Sequence, residues 1–485
     1  MKISILLKYI AKIEFLNIMS GLEQPVIQAR QGMSTSAELK QRDNLFIHPW
    51  DDIVKIGGHK RTLLDRGEGV YVYDSEGNRL LDAPAGMWCV NIGHGREEMA
   101  RAVYDQIMAL TYVSPWSMTT GPAAEFAAQI AEQSPGDLNH VFFTTGGSTA
   151  VDSALRFVQF YNNIRGLPNK KHIIAQKKGY HGSTYLGGSV SGKARDRSHL
   201  DFETRWVHHI DAPHPLHKPA GQSDAEFLDA CVANLENMIA QIGPENCAVF
   251  IAEPVQASGG VIVPPDGYHM RCLEVCRKHD MLYLSDEVVT AFGRLGYCFA
   301  SQDVFGITPD IITTAKGLTS GYIPMGAFLV SDRLIQEVKD KGGDSAVFSN
   351  GFTYSGHPVA AAAGIKNLEI MQREKLFERA QETGPYLQQQ MQTLRDIPIV
   401  SDVRGLGLMA CVECELEQGS NDLEMDLEIG NLIDRHCQAM GLIVRPIINM
   451  CVMSPPLTIT KPQIDEMVAI LRKGIIAAME EVSDQ

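Results

Sequence analysis

Short apolar runs alternate with helical segments between about residues 96 and 350. Amphipathic stretches such as AVDSALRFVQFY and MRCLEVCRKH separate these runs. Continuous apolar runs of about five residues are typical of strands buried on both faces of a sheet. Their alternation with helices predicts an α/β domain with a mixed, mostly parallel sheet. The runs are HVFFT, HIIAQ, AVFIA, MLYLS, DIITTA and MGAFLVS.

The two ends of the chain show different patterns. From about residue 60 to 82, apolar and polar positions alternate around Ser75-Glu76-Gly77-Asn78, which predicts a β-hairpin. After Pro358, two helical patterns lead to strands near VRGLGLMACVECE. A last helix is predicted to start at Thr460 as its N-cap, and its apolar face carries Ile464, Met467, Val468, Leu471 and Ile475.

These patterns predict a large domain and a smaller α/β domain. Residues 1–38 are expected to form an N-terminal extension, because patterned sequence begins only around Leu39, and removal of the residues before Met33 should leave activity intact. The predicted segments are 39–85, which joins the small domain, 86–355 for the large domain and 356–485 for the C-terminal small domain.

The composition narrows the possible partners and the cellular compartment. With 43 Lys and Arg against 58 Asp and Glu, the net charge of −15 disfavours nucleic acid as a partner. Ten cysteines in 485 residues are too few for a disulfide framework, so reduced thiols and a cytoplasmic protein are expected. Cys411 and Cys414 have a metal-like spacing, but no second Cys or His pair lies near them, which disfavours zinc.

A membrane protein or a secreted protein is also disfavoured. No uncharged apolar run reaches the length of about 20 residues that a membrane-spanning helix needs. The apolar run at the N-terminus is interrupted by Lys8, Lys12 and Glu14, so it does not form a convincing secretory signal.

Polar residues follow four of the predicted strands at the point where each strand ends. MLYLS is followed by Asp286, DIITTA by Lys316, AVFIA by Glu253, and HVFFT by a turn of small residues, Gly146–Thr149. Ligands of open parallel sheets bind beyond the carboxyl ends of the strands. Taken one at a time, such an aspartate is more often a helix cap and such a lysine a solvated charge, but together they favour a binding site.

An amine and a carboxylate at adjacent strand ends, near a small-residue turn that opens a helix, suit pyridoxal phosphate. The amine of Lys316 would form the Schiff base, and Asp286 would keep the pyridine nitrogen protonated. The turn and the helix N-terminus would bind the phosphate. The turn has neither the GxGxxG nor the GxxxxGK[ST] spacing, which disfavours a dinucleotide site and a P-loop. Tyr180 offers an aromatic face for the ring, although a core position is equally expected.

The stretch LYLSDEVVTAFGRLG with PDIITTAKGLTSGYIPMGA resembles the signature of the class III pyridoxal-phosphate-dependent aminotransferases. The chain is most similar to the ω-amino acid and amine:pyruvate transaminases within them. The resemblance runs from about residue 45 to the C-terminus through FFTTGGSTAVDSALRF, GYHGST, AEPVQASGGVIVPP, FTYSGHPVA and GLIVRPI. It implies a fold type I transferase that moves an amino group from an amine or ω-amino acid to a keto acid, with pyruvate expected, by a ping-pong mechanism.

The resemblance also implies a role for each matching residue. Lys316, Asp286 and Tyr180 would be catalytic. Lys316 would be the Schiff-base lysine and Asp286 the partner of the pyridine nitrogen. The residues expected to bind the cofactor are Gly147, Ser148, Tyr180, His181, Glu253, Asp286, Val288, Lys316, Phe352 and Thr353. Because the family supplies the Thr353 position from the other subunit, the resemblance implies a homodimer with shared active sites, and a tetramer stays open.

Three further residues match substrate-binding positions of the family. Arg445 would grip the carboxylate of a keto acid, and a planar guanidinium suits bidentate carboxylate binding. A surface salt bridge is the alternative for Arg445. Trp88 and Trp116 correspond to aromatic residues of the substrate pocket, and both could equally be core residues.

Two departures from the family pattern lie next to the expected phosphate turn. Thr149 and Val151 stand where the family usually has Glu and Asn, and the effect of this change on substrate or dimer contacts stays open. Two other activities remain as alternatives, an aminomutase or decarboxylase of the same fold and a catalytically silent cofactor carrier. The donor stays open among β-alanine, a diamine, a polyamine, taurine and an aryl amine, as does pyruvate against 2-oxoglutarate.

Overall fold

The structure is a computed structural model that describes residues 35–58, 61–417, 419 and 422–483. Most of the predicted N-terminal extension therefore lies outside the described residues. The described chain divides into two units. The first contains the residues up to Asp65 together with Tyr73–Asn78, and the second contains Arg66–Val72 and everything from Arg79 onward.

The first unit is small and held by local hydrogen bonds. Its helix, Ser36–Arg42, begins with a capping box in which Thr35 accepts from the amide of Glu38, while the Glu38 carboxylate accepts from the amide of Thr35. In the turn of the predicted hairpin, the Asp74 carboxylate accepts from the amide of Asn78 at 2.8 Å. The hairpin prediction is confirmed, with the two strands at 71–74 and 79–82.

The described chain contains fifteen strands. In chain order they are β1 Leu64–Glu68, β2 Tyr71–Asp74, β3 Arg79–Asp82, β4 His140–Thr144, β5 His172–Gln176, β6 Val207–Ile210, β7 Cys247–Ala252, β8 Leu282–Asp286, β9 Ile311–Thr314, β10 Gly326–Val330, β11 Val400–Leu406, β12 Met409–Cys414, β13 Leu442–Ile443, β14 Arg445–Ile447 and β15 Met450–Met453.

Seven strands form the central sheet in the order β4-β10-β9-β8-β7-β5-β6. The pairs β5–β6, β5–β7, β7–β8 and β8–β9 are parallel, whereas β10 runs antiparallel to both β4 and β9. The predicted mixed, mostly parallel sheet is confirmed, and the apolar runs HVFFT, HIIAQ, AVFIA, MLYLS, DIITTA and MGAFLVS all contribute strands.

The central sheet is covered on both faces, as its continuous apolar strands require. In β7, Val249 and Ile251 belong to one buried cluster, and Phe250 belongs to another on the opposite face. Successive side chains of a strand point to opposite faces, so an uninterrupted apolar run is stable only where both faces are buried. Helix Gly147–Ile164 packs on the first face, and helix Asp224–Ile242 on the second.

The helices of the second unit lie mostly between the strands of the central sheet and after them. Those of at least six residues are Glu97–Ala109, Gly121–Gln133, Gly147–Ile164, Tyr185–Val190, Asp224–Ile242, Tyr268–Lys278, Asp332–Lys341, Pro358–Arg373, Leu376–Gln392, Leu423–Ala439 and Lys461–Ser483. The described residues include no helix that is long and apolar enough to span a bilayer.

A second sheet of four strands, β11-β12-β15-β14, lies in the C-terminal part of the chain. The last helix begins at Lys461, directly after the predicted N-cap Thr460, and the predicted apolar face is buried. Near the end of the chain, β13 pairs in parallel with β3, with Leu442 opposite Leu81. This pairing joins β3 to a strand of the C-terminal part of the chain, and the assignment of residues 39–85 to the small domain stays a prediction. The boundaries at 85/86 and 355/356 stay predictions.

Candidate active site

Three neighbouring strands bring the predicted lysine and carboxylates to one edge of the central sheet. Strands β7, β8 and β9 are adjacent and parallel, with Ala252 opposite Ser285 and Ser285 opposite Ile312. Glu253 and Asp286 therefore stand at the same edge, and Lys316 follows β9 two residues after its end. The sequence expectation that these strand ends converge is met in the structure.

Asp286 is held by three hydrogen bonds and is almost fully buried. One carboxylate oxygen accepts from the Thr313 hydroxyl at 3.0 Å and from the Val288 amide at 3.1 Å. The other oxygen lies 2.7 Å from Nδ1 of His181. These partners fix the orientation of the carboxylate, because each comes from a rigid strand or from the turn that follows one.

His181 balances the buried negative charge of Asp286. Burial alone would lower the pKa of His181, but the hydrogen bond and the charge of Asp286 outweigh burial, so the pKa is raised. Glu253 adds a smaller contribution in the same direction. This rise in the pKa of His181 favours the protonated imidazole, whose Nδ1 donates to Asp286.

Glu253 supports the segment that carries the aromatic ring. Its two carboxylate oxygens accept from the amides of Tyr180 and Ala257, each at 2.9 Å. Burial raises the pKa of Glu253, and the positive charge of His181 opposes that rise. Glu253 therefore positions the backbone of Tyr180.

Lys316 has a strained backbone and a lowered pKa. Its φ of 42° lies in the left-handed region, which residues with a side chain rarely adopt. Burial lowers the pKa of Lys316, while the charge of Asp286 acts in the opposite direction. An amine of this kind has a larger uncharged fraction near neutral pH than an exposed lysine, and only the uncharged amine is a nucleophile.

The turn after β4 opens a helix whose first amides face no capping side chain, because the N-cap is Gly146. The N-terminus of helix Gly147–Ile164 is therefore a ready site for an anion. The Ser148 hydroxyl accepts from the Ser183 amide at 3.0 Å, which ties this turn to the segment after β5. Gly182 allows that approach, because a Cβ there would lie 2.6 Å from Cα of Ser148.

These residues fit pyridoxal phosphate. A Cβ on Gly147 would lie 3.0 Å from a methyl carbon of Val288 and 3.6 Å from Cβ of Ala315, so glycine keeps this part of the site open. The helix N-terminus suits the phosphate, Asp286 suits a protonated ring nitrogen, and Lys316 suits the aldehyde. Tyr180 and Val288 supply the aromatic and aliphatic surfaces that a flat ring needs.

Comparison with known proteins decides the family. The aminotransferase class-III family profile matches residues 56–475, which is most of the chain. The chain belongs to the class-III aminotransferases. It is 43% identical over 427 residues to the putrescine–pyruvate aminotransferase of Pseudomonas aeruginosa, covering 88% of this chain and 92% of that protein.

Other class-III relatives show the same breadth of similarity. The mitochondrial gamma-aminobutyrate transaminase 1 of Oryza sativa subsp. indica is 38% identical, over 87% of this chain and 82% of that protein. The crystal structure of the omega transaminase from Pseudomonas jessenii in complex with PMP superimposes with a TM-score of 0.86 at 33% identity. That match covers 93% of this chain and 99% of the other. The protein is thus a pyridoxal-phosphate-dependent aminotransferase of fold type I.

Within this class-III aminotransferase, the predicted substrate-binding residues lie in different environments. Arg445 begins β14 and is partly buried, and burial lowers its pKa. Trp88 is only 2% exposed and packs in an apolar cluster with Val255 and Met409. Trp116 is 95% exposed in the single chain. Among the described residues, no hydrogen bond or ring contact joins either tryptophan to Lys316, so their predicted roles are untested.

Phe352 and Thr353, which the family resemblance assigns to cofactor binding, lie in an exposed segment before helix Pro358–Arg373. The Thr353 side chain is exposed, and its carbonyl accepts from the Tyr112 hydroxyl at 2.6 Å. In the part of the chain that the structure describes, no hydrogen bond links Phe352 or Thr353 to Asp286 or Lys316. Their placement is compatible with a role in another subunit's site, which stays a prediction.

The two departures from the family pattern have simple structural explanations. The Thr149 hydroxyl donates to the carbonyl of Gly146 at 2.8 Å and closes the turn at the helix N-terminus. Val151 is fully buried on the face of the helix that packs against the sheet. Neither side chain adds a charge to the anion site.

Two residues of this region were missed by the sequence reasoning. Glu287, next to Asp286, is fully buried and accepts from the amides of Ala300 and Ser301 at 2.7 Å and 2.9 Å. Lys193 places its Nζ 5.6 Å from the centroid of the Tyr180 ring. The doublet of acidic residues after a buried strand was a signal for Glu287, whereas a lysine in a loop gave none.

Proposed function

We propose that this aminotransferase carries an amino group from an amine or ω-amino acid to pyruvate in a ping-pong reaction. The observation that carries the proposal is the juxtaposition of Lys316 and the buried, oriented Asp286 at adjacent strand ends. The names of the relatives support the choice of substrates, since one is a putrescine–pyruvate aminotransferase and another a gamma-aminobutyrate transaminase.

Bound pyridoxal phosphate supplies an electrophilic carbonyl and an electron-withdrawing ring. The residues of this chain supply the rest of the chemistry. Lys316 Nζ is the base that takes a proton from the amine-bearing carbon of the donor, and it returns a proton to the keto carbon of the acceptor. The lowered pKa of Lys316 favours this exchange near neutral pH. Asp286, held by His181 and Thr313, presents a fixed negative charge to the ring nitrogen.

Arg445 serves the carboxylate of the keto acid. Its guanidinium is partly buried and has no ion pair with a carboxylate among the residues that the structure describes. A planar guanidinium binds a carboxylate through two parallel hydrogen bonds, and it never has to lose a proton to do so. The amine donor and the keto acid occupy the same site in turn, so one arginine suffices for both half-reactions.

We further propose that the active enzyme is a homodimer with shared active sites. Large apolar side chains are exposed in the single chain around residues 104–118 and at Tyr354, next to the segment that carries Thr353. Exposed large apolar side chains that are close together along the chain are typical of subunit interfaces. The side chains are Tyr104, Ile107, Met108, Leu110, Trp116, Met118 and Tyr354.

A cytoplasmic location is part of the same proposal. All ten cysteines are free thiols, and nine of them are buried. Free, buried thiols are compatible with a reducing compartment. Fractionation of cells that express the tagged full chain would place the protein, and recovery in the periplasm or an exported fraction would contradict this location.

The reaction is tested by measuring the products of the full-length holoenzyme with 4-aminobutyrate and pyruvate. We expect alanine to form in equal amount to the amine consumed, and initial rates to give the parallel double-reciprocal lines of a ping-pong mechanism. Turnover that does not depend on a keto acid would indicate an aminomutase. Release of carbon dioxide from an amino acid would indicate a decarboxylase, and either result would overturn the proposal.

A further inference from the structure

The segment that carries Lys193 is anchored to the backbone that precedes Tyr180. The Gly192 amide donates to the carbonyl of Gly179 at 2.9 Å, and the Gly192 carbonyl accepts from the amide of Lys178 at 3.0 Å. The contact is so close that a Cβ on Gly192 would lie 2.2 Å from the carbonyl oxygen of Gln176. Only glycine fits there, so position 193 is held beside the ring-bearing segment.

A second anchor lies one residue earlier. The Ser191 hydroxyl accepts from the amide of His181 at 2.8 Å and donates to the carbonyl of Gly187 at 2.9 Å. The Lys193 side chain then extends over the Tyr180 ring, with Nζ 5.6 Å from the ring centroid. Its position is therefore determined by the same backbone that positions Tyr180 and His181.

Lys193 and Arg445 are two cations near one aromatic ring. Burial raises the pKa of Tyr180, and the charge of Arg445 opposes that rise. The charge of Arg445 also adds to the lowering of the pKa of Lys193. Burial is the largest cause of the shift in Lys193, whose pKa is lowered to about 8. Both side chains are thus partly withdrawn from water, which makes an uncompensated charge costly.

The nearby carboxylates are already occupied. Asp286 is held by His181, Thr313 and the backbone, Glu253 by two backbone amides, and Asp196 pairs with Arg195 at 3.1 Å. Neither Lys193 nor Arg445 forms an ion pair with a carboxylate within residues 35–58, 61–417, 419 and 422–483. Two positive charges therefore stand beside the ring without a negative partner from the described protein.

We propose that Lys193 is a substrate-binding residue that acts with Arg445 to select substrates whose remote end is anionic. The proposal rests on the transaminase function proposed above and narrows its donor to ω-amino acids in preference to diamines. A carboxylate or sulfonate at the remote end compensates the two cations. The second ammonium group of a diamine meets like charges in a partly desolvated site, which raises its free energy.

Three amine substrates with the same four-carbon chain test whether the charge at the remote end of the substrate, and not its shape, determines selectivity. 4-Aminobutyrate has an anionic remote end, n-butylamine a neutral one and putrescine a cationic one. The variants are Lys193→Met, which keeps the length and removes the charge, and Lys193→Arg, which keeps the charge. Lys177→Met is the matched control, because Lys177 is exposed and pairs with Asp211 at 2.7 Å.

For Lys193→Met, we expect kcat/KM for 4-aminobutyrate to fall by about tenfold or more through KM, since a charge-assisted hydrogen bond is lost. The value for n-butylamine should stay within about twofold, and the value for putrescine should rise, because one like-charge interaction is removed. Lys193→Arg should keep the preference for 4-aminobutyrate. Lys177→Met should leave all three values unchanged.

An equal loss for all three amines would overturn the proposal, because it would mean that Lys193 only positions Tyr180. No change for any amine would overturn it as well. Butyrate binding to the holoenzyme can be measured by an equilibrium titration that monitors the absorbance of the bound cofactor. This titration tests the anion-binding role of Lys193 separately from the transaminase function. Suppose that the enzyme transaminates none of the three amines, but that butyrate binds more weakly to Lys193→Met than to the wild type. This result would overturn the proposed function and leave the anion-binding role of Lys193 in place. Butyrate binding that is equal in wild type and Lys193→Met would overturn the anion-binding role.

Discussion

Two groups of charged residues in the site differ in how their charge is compensated. In the carboxylate network, which is Asp286, Glu253, His181 and Thr313, the two carboxylates are held by hydrogen bonds of 2.7–3.1 Å within the protein. The cation group, Lys316, Lys193 and Arg445, forms no ion pair with any carboxylate in the described part of the chain. The protein thus holds both carboxylates of the first group, while Nε2 of His181 is buried without a hydrogen-bond partner among the described residues. The cations of the second group have no carboxylate partner there.

The largest effect is expected at the one member of the cation group that reacts. Lys316→Ala should lower turnover by at least about 1000-fold, because both the nucleophile and the proton carrier are removed. The visible absorbance of the cofactor bound to this lysine should also be lost. Spectra and steady-state rates of the purified variant check both, with Lys177→Ala as a control that keeps them. A variant that retained the absorbance and the turnover would show that another amine holds the cofactor.

The carboxylate network is tested by Asp286→Asn. The amide keeps the shape but removes the charge that opposes the effect of burial on His181, so the pKa of His181 should fall. We expect turnover to fall by about 100-fold or more and cofactor affinity to weaken, because the ring nitrogen loses its anionic partner. Rates and equilibrium dialysis measure these effects. Asp211→Asn, at an exposed position, is the control, and equal losses in the two variants would contradict a specific role for Asp286.

Arg445→Ala tests whether the cation group recognises carboxylates. Values of kcat/KM for pyruvate and 4-aminobutyrate should fall by about tenfold or more, while n-butylamine should react almost as before. Arg101→Ala removes an exposed arginine that pairs with Glu97 and should change neither class of substrate. A uniform loss for charged and neutral amines would argue against a carboxylate clamp at position 445.

The smallest effect concerns pH. The pKa of Lys193 is lowered to about 8 by burial and by the charges of Arg195 and Arg445, while Asp196 and Glu253 raise it. The preference for 4-aminobutyrate over n-butylamine should therefore decrease as the pH rises through about 8, because Lys193 loses its proton. Both substrates react through a primary amine, so the pH dependence from ionisation of that amine cancels in the ratio of the two kcat/KM values. In Lys193→Arg the ratio should stay constant over this range, and a wild-type ratio that is equally constant would contradict the assignment.

The carboxylate network was largely predictable from the sequence, and the cation group was not. Asp286, Glu253 and Lys316 each follow an apolar run, and parallel strands bring their carboxyl ends to one edge of a sheet. Lys193 lies in a loop without periodicity, and its position depends on the contact of Gly192 with a segment about 16 residues earlier. Arg445 was found only through the family resemblance.

Other structural features could not be predicted from the sequence for related reasons. The role of Glu287 depends on Ala300 and Ser301 folding back onto it, which no local pattern records. Trp88 matched a substrate-pocket position, but its 2% exposure depends on packing between distant segments. Long-range packing was thus the common cause of what the sequence could not show.

The contact at Gly192 has a consequence for how the substrate range of this enzyme could change during evolution. Residues 191–192 are held against the backbone of Gln176–His181 by a close contact and hydrogen bonds, so the backbone position of residue 193 is fixed. A single-codon change there alters the charge that meets the substrate while leaving the cofactor-binding residues in place. The preferred class of amine substrate can therefore change during evolution while the enzyme stays active. Laboratory selection for diamine use should find substitutions at position 193 early.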